Sequence, residues 1–250
     1  MAATRPPEGH WVRRTAVAAA APYRTSSRFA WHFARAKLKR DPVFAGMLRL
    51  GLISGSSRIA DLGCGQGLLA AWMHAALARF DAGDWPPAWP APPRDARWHG
   101  IELMPRDVAR ARAALGDKAD IEQGDVRVAP LGTVDTVVIL DVLHYFDSSA
   151  QDALLRRVYA SLAPTGVLLL RVANAAAGWR FRFGNWVDRT AARLRGHRAP
   201  PVHCRALPDW LQALHALGFA AEAVPMSEGT PFANVLLVAR KPALASSPHS

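Results

Sequence analysis

The stretch RIADLGCGQG, Arg58–Gly67, runs from a short apolar segment into an acid, Asp61, and then into three glycines at every second position, Gly63, Gly65 and Gly67. A brief apolar run closed by glycines reads as a buried strand that ends in a loop. Behind it, LLAAWMHAALARF, Leu68–Phe80, has the length and composition of a helix. Strand, glycine loop and helix in that order open the fold.

Outward from this unit the pattern repeats. Strands are expected at Arg58–Leu62, Arg97–Glu102, Asp120–Gln123, Val134–Asp141, Gly166–Val172, Phe219–Val224 and Asn234–Ala239. Helical patterns stand between most of them, at Leu68–Phe80, Pro105–Leu115, Ala150–Leu162 and Pro208–Leu217. Such alternation predicts an α/β fold with a doubly wound, mostly parallel sheet covered by helices on both faces. Two stretches interrupt it. Asp81–Trp98 carries many prolines and three tryptophans and reads as a surface insertion before the second strand; the other interruption is Asn174–Arg205.

Ahead of the first strand, Ser26 or Ser27 caps a helix expected to reach Arg40, before Asp41-Pro42. Ala30, Phe33, Ala34 and Leu38 share its apolar face, and Arg28, Arg35, Lys39 and Arg40 lie mostly elsewhere. A short helix around Val43–Leu50 follows. Residues 1–22, rich in Ala, Pro and Arg, are expected to be a disordered tail, residues 23–57 an N-terminal helical extension, residues 58–240 the main domain and 241–250 a second tail.

With 250 residues and 50% hydrophobic side chains the chain is long enough to bury a sizeable core as one domain. No apolar run reaches the roughly 18 residues of a membrane span. RRTAVAAAAP, Arg13–Pro22, makes a poor export signal, because alanine gives a weak apolar core and a basic segment follows. Two cysteines, Cys64 and Cys204, provide no disulfide framework. A cytoplasmic location is expected. The formal charge of +11 suits an anionic partner such as nucleic acid, lipid or an acidic protein. It equally suits a compositional preference for arginine over lysine.

The glycine loop bears on the ligand. In doubly wound sheets ligands bind beyond the carboxyl ends of the strands, at the switch point beside the first strand. A dinucleotide fingerprint needs G-x-G-x-x-G, whereas here Leu68 stands where the third glycine belongs. Asp61 would repel a pyrophosphate and attract a cation. A ligand with a nucleoside, an ammonium and a sulfonium fits this charge pattern.

At these residues the chain resembles the class I S-adenosylmethionine-dependent methyltransferases, over about residues 58–240. DLGCGQG, with Asp61, Gly63, Cys64, Gly65 and Gly67, is similar to their first motif. The resemblance implies that Glu102, closing HGIE and followed by Leu103, accepts from the ribose hydroxyls. It implies that Asp125 in QGDV faces the adenine amino group, with Val126 against the ring. DTVVILDVLHYF resembles the fourth strand and its loop, where Asp141 holds the methionine end or a nearby N–H. LAPTGVLLLRV resembles their fifth strand, and NVLLVARK the last strand pair, which includes one antiparallel strand. A Rossmann-like seven-stranded sheet, a methyltransferase activity and S-adenosyl-L-methionine as cofactor are what the resemblance implies. Glu102 lies about 35 residues after Gly67, against about 20 in a comparable nucleotide fold, and the Asp81–Trp98 insertion accounts for the excess.

Methyl transfer is an in-line displacement that requires alignment above all, and a base only when the acceptor must lose a proton. His144 in LDVLHYF is placed to be that base or to line the pocket, and both readings stay open. His197, His203 and Cys204 lack a fourth ligand at metal-site spacing, so no metal is expected. Gly178–Arg198 interleaves Trp179, Phe181, Phe183 and Trp186 with Arg180, Arg182 and Arg189. This suits a lid over the pocket, RNA stacking or an acidic carrier protein. RFAWHFARAKLKRDPVF also resembles small methyltransferases of bacterial aryl-polyene pigment clusters, which implies a carrier-bound aromatic acceptor. The expected acceptor is a small molecule or a carrier-tethered acyl group, with RNA methylation or a non-catalytic cofactor-binding module as alternatives.

Overall fold

The structure is a computed structural model that describes residues 8–53, 55–173, 203–228 and 234–243. Three helices precede the sheet: α1 (Glu8–Ala20), α2 (Arg28–Arg40) and α3 (Pro42–Arg49). Then come β1 (Arg58–Leu62), α4 (Leu68–Asp81), β2 (Arg97–Glu102), α5 (Pro105–Leu115), β3 (Asp120–Gln123) and β4 (Val134–Leu140). The chain continues through α6 (Ser148–Ser161), β5 (Leu162–Ala173), α7 (Leu207–Ala216), β6 (Ala220–Pro225) and β7 (Asn234–Arg240). The strands form one seven-stranded sheet in the order β3-β2-β1-β4-β5-β7-β6. β7 runs antiparallel to both its neighbours, and the β1–β2, β2–β3 and β4–β5 pairs are parallel. This is the doubly wound sheet that the alternation predicts, with the seven strands and one antiparallel strand that the resemblance implies. Among the described residues no helix is long and apolar enough to cross a membrane.

The described residues divide into two compact units. One takes in those up to Val128 together with Glu228; the other takes in those from Ala129 to Ser227 and from 234 to 243.

The first unit corrects one expectation. Within the stretch 1–22, read as a disordered tail, residues 8–20 are helix, and Ala21–Arg24 form a 3-10 turn. Alanine favours helix intrinsically, but the fastening comes from Trp11, which is 1% exposed. Its ring meets Trp72, Trp85 and Trp89 edge-on at centroid distances of 5.9, 5.2 and 5.0 Å. Its indole N–H donates to the Asp84 carbonyl at 2.8 Å, and Arg14 pairs with the Asp84 carboxylate at 2.7 Å. The same contacts revise the reading of residues 81–98 as a surface insertion: Trp89, Pro92 and Pro93 are buried, and the segment covers α1 and α4.

Ser27 caps α2 by accepting from the Ala30 N–H at 3.0 Å, and Ala30, Ala34 and Leu38 are buried as the pattern predicts. Asp41 caps α3 by accepting from the Val43 N–H at 3.1 Å, with Pro42 at the first helical position. Tyr23, on the turn between α1 and α2, is fully buried and donates its hydroxyl to the Gln66 carbonyl at 2.7 Å.

In the second unit β5 starts four residues before the expected Gly166, because the pairing with β4 slips between Val134 and Thr136. Leu162 faces Val134, and Val167 faces Thr136. Residues between them bulge through Thr165, whose φ is +64°. Apolar side chains of the central strands fill the core: Val137, Val138, Ile139, Leu168, Leu169 and Leu170 are at most 0% exposed. The arginine-aromatic segment, with Trp179, Arg180, Phe181, Arg182, Phe183, Trp186 and Arg189, lies outside the described residues, and so does His197.

Candidate functional site

In the first unit, β1 and β2 pair so that Asp61 stands beside Gly100 and Leu62 beside Ile101. The chain beyond β1 then turns across the end of β2. Gly63 and Cys64 N–H groups both donate to the Ile101 carbonyl, at 2.8 and 3.2 Å. Gly63, Gly65 and Gly67 all take positive φ, the region that side chains avoid. At Gly67 a Cβ would also meet Leu115 Cδ1 at 2.5 Å. At Gly65 a Cβ would meet nothing within 4 Å, so that glycine leaves open space above the loop.

Glu102, at the end of β2, fastens the loop. Its Oε2 accepts from the Gly65 N–H and its Oε1 from the Met104 N–H, both at 2.9 Å. A carboxylate has about four acceptor positions, so each oxygen keeps one for another donor. Asp61 lies close by and is 7% exposed. Burial, and then the Glu102 charge, push its carboxyl up to about 7. Burial also raises the Cys64 thiol, with Asp61 and then Glu102 adding to the effect, which disfavours the thiolate. The Tyr23 phenol is likewise raised, first by burial. No side chain caps the N-terminus of α4, where Gly67 is the cap residue. Its first-turn N–H groups are ready donors to ligand oxygens.

Asp125 follows β3. The Gly124 N–H donates to the Glu102 carbonyl at 3.0 Å, which sets Asp125 and Val126 beside the end of β2. Arg127 folds back onto the Asp125 carboxylate, through its backbone N–H at 2.9 Å and its guanidinium Nε at 3.0 Å. Val126 is 6% exposed, whereas Leu103, after Glu102, is 59% exposed. The first unit therefore gathers Asp61, Gly63, Cys64, Gly65, Gly67, Glu102, Leu103, Asp125 and Val126 along the carboxyl ends of β1, β2 and β3.

In the second unit Asp141 directly follows β4 with φ at +61°, which is uncommon for a residue with a side chain. Arg171 on β5 grips it: Nε donates to Oδ1 at 2.8 Å, and Nη2 reaches Oδ2. The Arg171 side chain is 1% exposed. The following residues form a short 3-10 turn, Leu143–Tyr145, in which the His144 and Tyr145 rings lie 4.1 Å apart. The His144 carbonyl accepts from the His203 N–H at 2.8 Å. Gln151 on α6, fully buried, donates its amide to the carbonyls of Leu143, Phe146 and His203 at 2.9–3.1 Å. Asp147 caps α6 by accepting from the Ala150 N–H at 2.9 Å, and that bond holds its carboxyl below the usual range.

Sequence reasoning missed Arg171, Gln151 and Tyr23. A polar residue inside an otherwise apolar strand or helix face was the available signal for the first two. Tyr23 carried none, since its partner is a backbone carbonyl 43 residues away.

A family model of the methyltransferase domain matches residues 30–224. The chain belongs to the methyltransferase domain family. Among curated proteins this methyltransferase-family chain is similar to the carboxy-S-adenosyl-L-methionine synthase of Chromohalobacter salexigens, at 30% identity over 131 residues. That match takes in 48% of the chain and 43% of the relative. The synthase of the same name from Dichelobacter nodosus is 29% identical over 139 residues, 52% of each chain. The chain thus spans about half the length of the curated relatives it matches. Its fold is similar to that of magnesium protoporphyrin IX methyltransferase from Synechocystis PCC 6803 with bound SAH, at TM-score 0.56 and 20% identity, covering 86% of this chain and 88% of that one. An O-methyltransferase family protein from Burkholderia thailandensis gives a TM-score of 0.61 at 17% identity, with coverage of 95% and 68%. The pyocyanin biosynthetic protein gives 0.60 at 19%, with coverage of 88% and 60%.

Proposed function

We propose that the protein is an S-adenosylmethionine-dependent methyltransferase acting on a small-molecule or carrier-tethered acceptor. The observation that carries the reading is the Glu102 carboxylate, held by the Gly65 and Met104 N–H groups next to the buried Asp61. The residues present fit that cofactor. Glu102 keeps one acceptor position on each oxygen for two adjacent ribose hydroxyls. Asp61 offers a buried carboxyl that a cationic end would ionise and pair with, and its place beside the glycine loop disfavours a pyrophosphate. Gly65 leaves room for close approach, and the uncapped end of α4 offers N–H groups to a carboxylate. Leu103 and Val126 supply apolar surface for a nucleobase.

The bound cofactor would supply an electrophilic methyl group on a sulfonium. The work of the chain is to hold acceptor and cofactor in line and to exclude water. Arg171 fixes the Asp141 carboxylate, and Gln151 fixes the loop that carries His144. On that loop His144 takes the proton of a hydroxyl or amine acceptor, or serves as pocket wall. The test is transfer of tritiated methyl to aromatic acids, carrier-bound acids and RNA, with His144→Gln run in parallel. Base catalysis predicts a loss of about 10²–10⁴ in turnover for the variant. Near-full turnover makes His144 a wall, and labelling of RNA alone overturns the small-molecule reading.

A second reading comes from the curated relatives, whose name makes a carboxylated form of the cofactor the product. Mass spectrometry of the small molecules released from the purified protein separates the two readings.

A further inference from the structure

The basic charge of this chain is unevenly spread. Residues 1–50 hold ten of the 31 lysines and arginines but two of the 20 acids, while residues 101–150 hold five basic residues and nine acids. A compositional taste for arginine would not produce this contrast. Within α2 there is no acid at all. Its exposed positions include Arg28, His32, Arg35 and Lys39. These recur at intervals of four, three and four, so they form one row along the helix, about 16 Å long at 1.5 Å per residue. Like charges at such spacings destabilise a helix, and among the described residues none of Arg28, Arg35 and Lys39 has an ion-pair partner. The nearby acids are already matched, Asp41 with Lys37 and Asp107 with Arg110.

One cation of the row, Arg35, and Arg24 in the turn before α2 are also held in place. The guanidinium of Arg24 lies 4.7 Å from the centre of the Trp31 ring and that of Arg35 lies 5.7 Å from it. The ring offsets part of the repulsion between them and restricts their motion, which lowers the entropy lost when they bind an anion.

We propose that the outer face of α2 docks an acidic helix of a partner protein. The row is straight and matches the i, i+4, i+7, i+11 spacing that one face of a second helix presents. An RNA partner needs open aromatic faces for stacking. Here Trp31 is engaged by two arginines, while Phe29 stacks on Phe33 and lies under Arg110. Insertion into a membrane needs a free apolar face; Ala30, Ala34 and Leu38 are buried at 0–1% exposure, which leaves Phe29, 57% exposed, as the one large apolar side chain of α2 open to solvent. This inference does not depend on the proposed enzymatic activity.

The experiment is fluorescence anisotropy at low ionic strength with a labelled helical peptide carrying four glutamates at i, i+4, i+7 and i+11. A peptide of the same composition with the glutamates spread around the helix is the control, and a 20-nucleotide single-stranded RNA and phosphatidylserine-containing vesicles are competitors. The matched peptide should bind at least fivefold more tightly than the control. The combined change Arg28→Glu, Arg35→Glu and Lys39→Glu should weaken it at least tenfold, with the circular dichroism spectrum retained. Should that variant not fold, Arg28→Ala with Lys39→Ala carries the test, with an expected loss of threefold or more. Equal binding of matched and control peptides, no response to the substitutions, or stronger binding of RNA or vesicles through the same residues overturns the proposal.

Discussion

Glu102 accepts one backbone N–H on each carboxylate oxygen, from Gly65 and from Met104. Alanine there removes the acceptor for the ribose diol and leaves two loop donors without their partner. Because a hydrogen bond to a charged group is worth about 1.5–3 kcal/mol, and even one lost ribose bond then costs about 10- to 150-fold, Glu102→Ala should weaken S-adenosylhomocysteine (SAH) binding at least about 10-fold in calorimetry. A change below threefold would remove Glu102 from the site. Asp61 gives a second expectation at this scale. Burial favours its neutral form, so the folded chain holds that proton more tightly than the unfolded chain. Its contribution to stability is therefore present below pH about 4 and is lost as pH rises through about 7. A cationic ligand reverses the preference, because it pairs with the carboxylate. Cofactor binding at pH 6 should therefore release close to one proton, measured as a buffer-dependent enthalpy, and none at pH 8.5. Asp61→Asn should abolish the release; a release that persists in this variant would assign it to another group.

At the scale of elements, α1 shows where reading the sequence stopped. Its alanine-rich run has little apolar periodicity of its own, and its fastening side chain, Trp11, meets rings that lie 61, 74 and 78 positions further on. Nothing local announces such contacts. The proline-rich stretch before β2 looked like an exposed insertion for the same reason: its tryptophans gain a purpose only once α1 lies against them. By contrast β1, β2 and β3 begin and end where the sequence predicts, since each is a short apolar run punctuated by acids and glycines. Trp11→Ala should cost about 3–5 kcal/mol, the range for truncating a buried large aromatic. A denaturant titration checks this. A loss below 1 kcal/mol would mean that α1 adds little to the stability of the first unit.

For the whole molecule, the doubly wound sheet and the glycine loop beside Asp61 were legible from local pattern and chain order, while the antiparallel strand and the place of Glu102 were legible through the family resemblance. The residues that hold the second group in place were not. Arg171 reaches Asp141 across 30 positions and Gln151 reaches His203 across 52, and such pairs exist only in the folded chain. The uneven charge was visible in the sequence as a total, but its concentration on one face of α2 needed the buried face to be known. The central claim, the cofactor class, rests on Asp61, an acid beside the glycine loop where a pyrophosphate would be repelled, and on a glycine spacing that departs from the dinucleotide fingerprint. Calorimetric titration of the same preparation with SAH and with NAD tests it most directly. Saturable SAH binding in the micromolar range and no heat from NAD are expected; saturable NAD binding with none for SAH would make the glycine loop a dinucleotide site instead.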